Sequence, residues 1–271
     1  MFRLLINSIL KTYGRQIIES SRLETLNATS FEHAKYERWM EQANLSPTFR
    51  DFIFTNIRSS TSQLQQDLVA QYVALSTDSD QRYFVEFGAC DGKILSNTYL
   101  LEKAYGWQGI LAEPCRSWHE RLIDNRSAKI DFRCLSPKGN SEIEFFEAEN
   151  AEYSTLSEFR ASDLHSQIRL KGKKYIVPSV SLIDLLHQHG APSTIDYLSV
   201  DTEGSEFSIL QEFNFSLYKF NMISVEHNFS DNRSRVFNLL SNAGYARYLE
   251  HLSLFEDWYF PVDFNSAFFY R

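Results

Sequence analysis

Tyr83-Phe84-Val85-Glu86-Phe87-Gly88-Ala89-Cys90-Asp91-Gly92 decides how the chain folds. Its first half is aromatic and β-branched, as a strand requires, and it runs straight into a glycine. Leu95 to Tyr105 reads as a helix, and Gly109 to Glu113 as a second strand stopped by Pro114. The strand–helix–strand unit then repeats. A helix from Ser117 to Asn125 precedes a strand at Ile130–Cys134. A helix at Val180–His189 precedes a strand at Ile195–Asp201. A helix opening at Phe207–Phe213 precedes a strand at Met222–Glu226, and a helix from Arg233 to Ala243 ends on Gly244. Such alternation predicts an α/β fold, a parallel sheet with helices on both faces. Ligands in that architecture bind at the carboxyl ends of the strands, beside the point where strand order reverses.

The remaining segments are less regular. Residues 139–180 hold a hairpin-like stretch at Glu142–Glu147 and a polar loop. Lys171-Gly172-Lys173-Lys174 in that loop reads as a solvated charge run. The aromatic tail is expected to supply closing antiparallel strands at Tyr245–Leu249 and Ala267–Tyr270, its rings serving as core or interface. Upstream, Asn44-Leu45-Ser46-Pro47 reads as a break. Leu64, Leu68, Tyr72 and Leu75 share one helical face, and Thr77-Asp78-Ser79-Asp80 ends that helix. Residues 1–61 are read as an N-terminal helical extension and 62–271 as the catalytic-type domain. Leu5, Ile9 and Leu10 form a short amphipathic stripe, suited to packing on its own domain or on a second copy in a homodimer.

The 271 residues are 43% hydrophobic, with 22 Phe and 14 Tyr, enough for a large core. The net charge of −8 argues against a nucleic-acid or anionic-membrane partner, both of which favour basic surfaces. No apolar run is long enough for stable membrane insertion. Cys90, Cys115 and Cys134 form neither a disulfide framework nor a zinc pattern, and are expected as free thiols in the cytoplasm.

The strand ends are acidic. The first carries Glu86, the second Glu113, the fourth Asp201 and Glu203, the fifth Glu226 with His227. Gly88 permits a tight turn, and Gly92 a close approach of the next segment. A pyrophosphate-binding loop would offer free amides and no acid. Here Glu86 and Asp91 make the loop acidic, and it lacks GxGxxG, which disfavours an NAD(P)-dependent oxidoreductase, the main alternative reading. Acids favour a cationic ligand, such as the sulfonium and α-ammonium of S-adenosylmethionine. Glu113, one unit later, can accept from both ribose hydroxyls.

These residues, with Ser96-Asn97-Thr98, Glu113-Pro114, Asp201-Thr202-Glu203-Gly204-Ser205-Glu206 and Glu226-His227-Asn228, resemble the FkbM family of methyltransferases. The likeness covers roughly residues 62–260. It implies a class I methyltransferase (Rossmann-like) fold, a seven-stranded sheet with its last strand antiparallel. It also implies S-adenosylmethionine-dependent methylation, usually on oxygen, of a small molecule, sugar or polyketide. By that resemblance Glu86, Gly88, Ala89, Asp91 and Gly92 line the methionine end of the cofactor, with Asn97 and Thr98 nearby. Glu113 binds the ribose, Ser136 lies near the adenine, and Asp201 and Glu203 face the amino-acid portion or the acceptor. Cys90 departs from the middle glycine of ExGxGxG. A non-catalytic module retaining the fold would show losses at Gly88, Glu113 or Asp201, and none occurs.

Methyl transfer requires alignment of the acceptor, and a hydroxyl acceptor also benefits from a base. His227 is the first candidate, since imidazole accepts a proton near neutrality, and Asp201 the second. Asp201, Glu203, Glu226 and His227 would also suit a divalent cation, a reading made secondary by the cationic cofactor.

Overall fold

In the computed structural model, Tyr83–Phe87 (β1) is buried along its whole length at the middle of a large sheet. The structure describes residues 35–77, 81–159 and 170–271. The stripe of Leu5, Ile9 and Leu10 and the helix end at Asp78-Ser79-Asp80 fall outside them. Contacts divide the chain into two compact units, residues 1–45 and 46–271. Within the first, residues 35–40 are helical. The second begins ahead of the boundary expected at residue 62, because it includes the helix Pro47–Asn56. The segment read as a break supplies that helix's start: Ser46 accepts from the Phe49 amide, and Pro47 occupies the first turn.

After β1 the strands are Gln108–Ala112 (β2), Lys129–Asp131 (β3), Cys134–Leu135 (β4), Glu142–Ala148 (β5), Thr155–Leu156 (β6), Gly172–Val180 (β7), Thr194–Val200 (β8), Lys219–Glu226 (β9), Tyr245–Tyr248 (β10) and Glu256–Pro261 (β11). Seven form one sheet in the order β10-β11-β9-β8-β1-β2-β3. β11 runs antiparallel to both neighbours, while β9, β8, β1, β2 and β3 pair in parallel. Strand order reverses between β1 and β8, so their carboxyl ends, Gly88 and Asp201, flank the switch point. On one face, Val85, Phe87, Ile110 and Leu198 pack with Leu185, Leu186, Ile209 and Leu240 from three helices. Across the sheet, the helix Gln66–Ala74 packs against β8 and β9.

Several expectations are corrected. The segment read as the third strand divides. β3 stays in the large sheet, and β4 joins a second, four-stranded sheet in the order β4-β7-β5-β6. The stretch read as a polar loop contains β7, a nine-residue strand. Its charges hid it, yet Lys173 pairs with Glu147 at 3.0 Å and Lys174 with Glu144 at 2.7 Å across to β5. Val180 ends that strand rather than opening a helix, and Ser181 caps the helix Leu182–Gln188.

The closing strand is β11, not Ala267–Tyr270, where residues 266–268 form a short 3-10 turn. Two acids disguised it. Glu256 is buried and accepts from Gln66 and Trp258, while buried Asp257 pairs with Arg233 and Arg247. The tail aromatics are core. Trp258, Tyr259 and Phe260 are fully buried, and Phe260, Phe264 and Phe269 stack with centroids 5.0–5.3 Å apart. No helix among the described residues is long and apolar enough to cross a membrane.

Candidate active site

The turn after β1 is held by a buried arginine that the sequence did not advertise. Glu86 lies in the core, and its carboxylate accepts from the Asn97 amide (2.7 Å), Ser96 Oγ and Thr98 Oγ1. The fully buried Arg126 guanidinium stands 3.5 Å away and donates to Glu102 (2.6 Å), the Gly92 carbonyl (3.0 Å) and Thr98 Oγ1 (2.8 Å). Every face of both charges is met, as burial of an ion pair requires. Asn97 also donates to Ser199 on β8. Asp91 accepts from the Lys93 and Ile94 amides, both at 2.8 Å, and folds the turn upon itself. Gly92 has φ +74°, and a Cβ there would press within 2.5 Å of Leu122. Glu86, Asp91, Asn97 and Thr98 therefore build the back of the loop rather than the wall of a cavity.

The cavity lies on the other side, at the switch point. It holds about 600 Å³ of non-atom space, the part open to solvent included. Gly88, Cys90, Glu113 and Asp201 to Glu203 line it, as expected for Gly88, Glu113, Asp201 and Glu203. Gly88 has φ +71° and donates to the Ala112 carbonyl at 3.1 Å. Cys90, in place of a glycine, takes a left-handed φ of 47°. Its amide donates to Glu113 Oε2 at 2.8 Å, and the Cys115 amide to Oε1 at 2.8 Å. Burial pushes Glu113 up to about 7, against the pull of those two amides. Ala89 is buried beneath the turn. Ser136 is buried nearby and accepts from the Gly139 amide, outside the cavity lining.

The sequence missed the opposite wall. Phe145, Ser154 and Leu156 of the second sheet reach the cavity, as does Glu152 on the 3-10 turn Ala151–Tyr153. No spacing rule could place them, because they follow a crossover between sheets. The lining thus joins apolar side chains (Cys134, Leu135, Phe145, Leu156) to acids (Glu152, Asp201, Glu203).

Glu226 and His227 line a smaller cavity of about 250 Å³. Carboxylate oxygens of Asp201, Glu203 and Glu226 lie within 4.8 Å of one another, close enough to hold a divalent cation. Asp201 and Glu226 face each other across this cluster. Enclosure by protein, then repulsion among the acids, pushes both well above the carboxylate range.

His227 lines the smaller cavity beside Glu226, but its ring nitrogens are turned elsewhere. Its Nδ1 accepts from the Phe229 amide at 3.0 Å, and its buried Nε2 faces Asp257 at 3.8 Å. Burial holds the imidazole below its usual range. The ring faces Asp257, which pairs with Arg233 and Arg247.

A seven-stranded α/β sheet thus carries a cavity lined by acids at its switch point. The family model described as the methyltransferase FkbM domain matches residues 86–252, more than half of the chain. The chain belongs to the FkbM methyltransferase family. Among curated proteins no significant match is found.

Proposed function

We propose that the protein is a class I, S-adenosylmethionine-dependent methyltransferase acting on a hydroxyl of a small molecule, sugar or polyketide-like acceptor. The observation that carries this reading is Glu113. Two amides fix its carboxylate at the end of β2, and it faces the cavity one strand–helix–strand unit after Gly88. That is the position from which an acid takes a ribose diol. The cavity's lining supports it. Its apolar side chains suit a flat adenine ring, and its acids suit a sulfonium and an ammonium. When bound, S-adenosylmethionine supplies an electrophilic methyl group.

The chain's own residues then position the acceptor and take up its proton. Asp201 and Glu226 stand together at the strand ends, their carboxylate oxygens within 4.8 Å of each other. Their raised proton affinity suits a base working near neutrality. Isothermal titration with S-adenosylmethionine and S-adenosylhomocysteine tests the reading. Binding in the micromolar range is expected; no heat from either at tens of micromolar would sink it.

A further inference from the structure

The wall opposite Gly88 is built as firmly as the loop itself. In the turn Ala151–Tyr153, Asn150 accepts from the Glu152 amide, and the Tyr153 amide donates to the Asn150 carbonyl at 3.2 Å. Ser154 Oγ accepts from the Ala148 amide at 3.2 Å. Thr155 Oγ1 donates to the Glu203 carbonyl at 2.9 Å, which ties the turn across the cavity to the loop after β8. The second sheet is therefore fixed to the first at Glu203. Ala151, Glu152 and Ser154 line the cavity together.

Glu152 differs from the other acids there. Glu113 accepts from two amides, and Asp201 stands within 4.8 Å of Glu203 and Glu226. Glu152 stands exposed at the rim. Its charge is felt inside. Burial pushes the Cys90 thiol well up, and the charges of Glu113, Asp201 and Glu152 push it further. Lysine, arginine and histidine are all absent from the described lining of this cavity.

We propose that the second sheet is a working wall of the cofactor pocket, and that Glu152 on its turn recognises the positive charge of the cofactor's amino-acid tail. The inference rests on the S-adenosylmethionine reading and adds a determinant from outside the strand-end motifs. It makes cofactor affinity depend on ligand charge through a residue on a separate sheet.

Titration of the full chain with three ligands tests it: S-adenosylmethionine, S-adenosylhomocysteine and 5′-methylthioadenosine, the last lacking the amino-acid tail. Glu152→Gln should weaken the first two about fivefold at low salt and leave the third unchanged, the scale of an exposed ion pair. Glu152→Asp should recover part of the loss, and added salt should erase the difference. Equal weakening of all three ligands would mean that Glu152 only supports the turn, and would overturn the inference. So would unchanged affinity for S-adenosylmethionine. A wild-type chain that binds none of the three would instead overturn the cofactor reading, and this inference with it.

Discussion

A Cβ added to Gly88 would lie 1.9 Å from the carbonyl oxygen of Asp201. The two residues follow adjacent strands on either side of the reversal in strand order, and both line the cavity. The backbone of one strand end thus occupies the space that a side chain on the other would need. Glycine at 88 is a requirement of packing as well as of conformation.

Gly88→Ala should therefore cost more than its left-handed φ alone. Gly106 supplies the control, since it has the same φ of +71° and open space around it. Gly106→Ala should cost about 1–2 kcal/mol, the conformational term. Gly88→Ala should exceed it by at least about 1 kcal/mol, as overpacking adds strain. Urea denaturation of both variants checks this. Equal costs would show that the Asp201 backbone yields.

Arg126 is the anchor of the turn, and its removal should be felt globally. Arg126→Met would leave Glu86 with uncompensated charge and Glu102 with Lys103 alone. A destabilisation of about 3–5 kcal/mol is expected, as for breaking a buried ion pair. Adding Glu86→Gln should recover part of it, because the worst-placed charge is then gone. Denaturation midpoints across this double-mutant cycle read the coupling. A variant as stable as wild type would show that water reaches Glu86.

Much of the large sheet was legible because its code is local. The run Tyr83–Phe87, the stop at Pro114 and the cap at Gly244 each act on neighbouring residues. The strands that went unread, β7 and β11, carry charges that make sense only with partners far along the chain. Glu256 needs Gln66, and Lys174 needs Glu144. The site divided in the same way. Gly88, Glu113, Asp201 and Glu203 could be placed from strand ends alone. Glu86 was misjudged because its partner Arg126 is 40 residues away. His227 follows β9 as read, but the direction of its ring depends on Asp257 of a strand not foreseen.

His227→Asn tests that direction. If the ring is structural, affinity for S-adenosylmethionine should stay within about twofold, since His227 is not among the residues lining the main cavity. Stability should fall by about 1–2 kcal/mol, since a buried ring and its hydrogen bond to the Phe229 amide are lost. Titration and denaturation on the same preparation separate the two effects. Cofactor affinity that collapses while stability holds would restore His227 to the site.

Glu113 gives the fold a pH signature. Its carboxyl is pushed from 4.5 up to about 7, so the folded chain binds its proton more tightly than the unfolded chain does. The group therefore favours folding fully below about 4.5 and progressively less as the pH rises to about 7. Glu113→Gln cannot titrate. The stability of wild type relative to the variant should fall by about 1–3 kcal/mol between pH 4.5 and 8, following the scale of such shifts. Cofactor affinity should move the other way, because the ionised carboxylate is the better acceptor for ribose hydroxyls. Melting curves and titrations over that range check both slopes. A wild-type minus variant difference that stays flat with pH would show that the Cys90 and Cys115 amides outweigh burial and keep Glu113 ionised throughout.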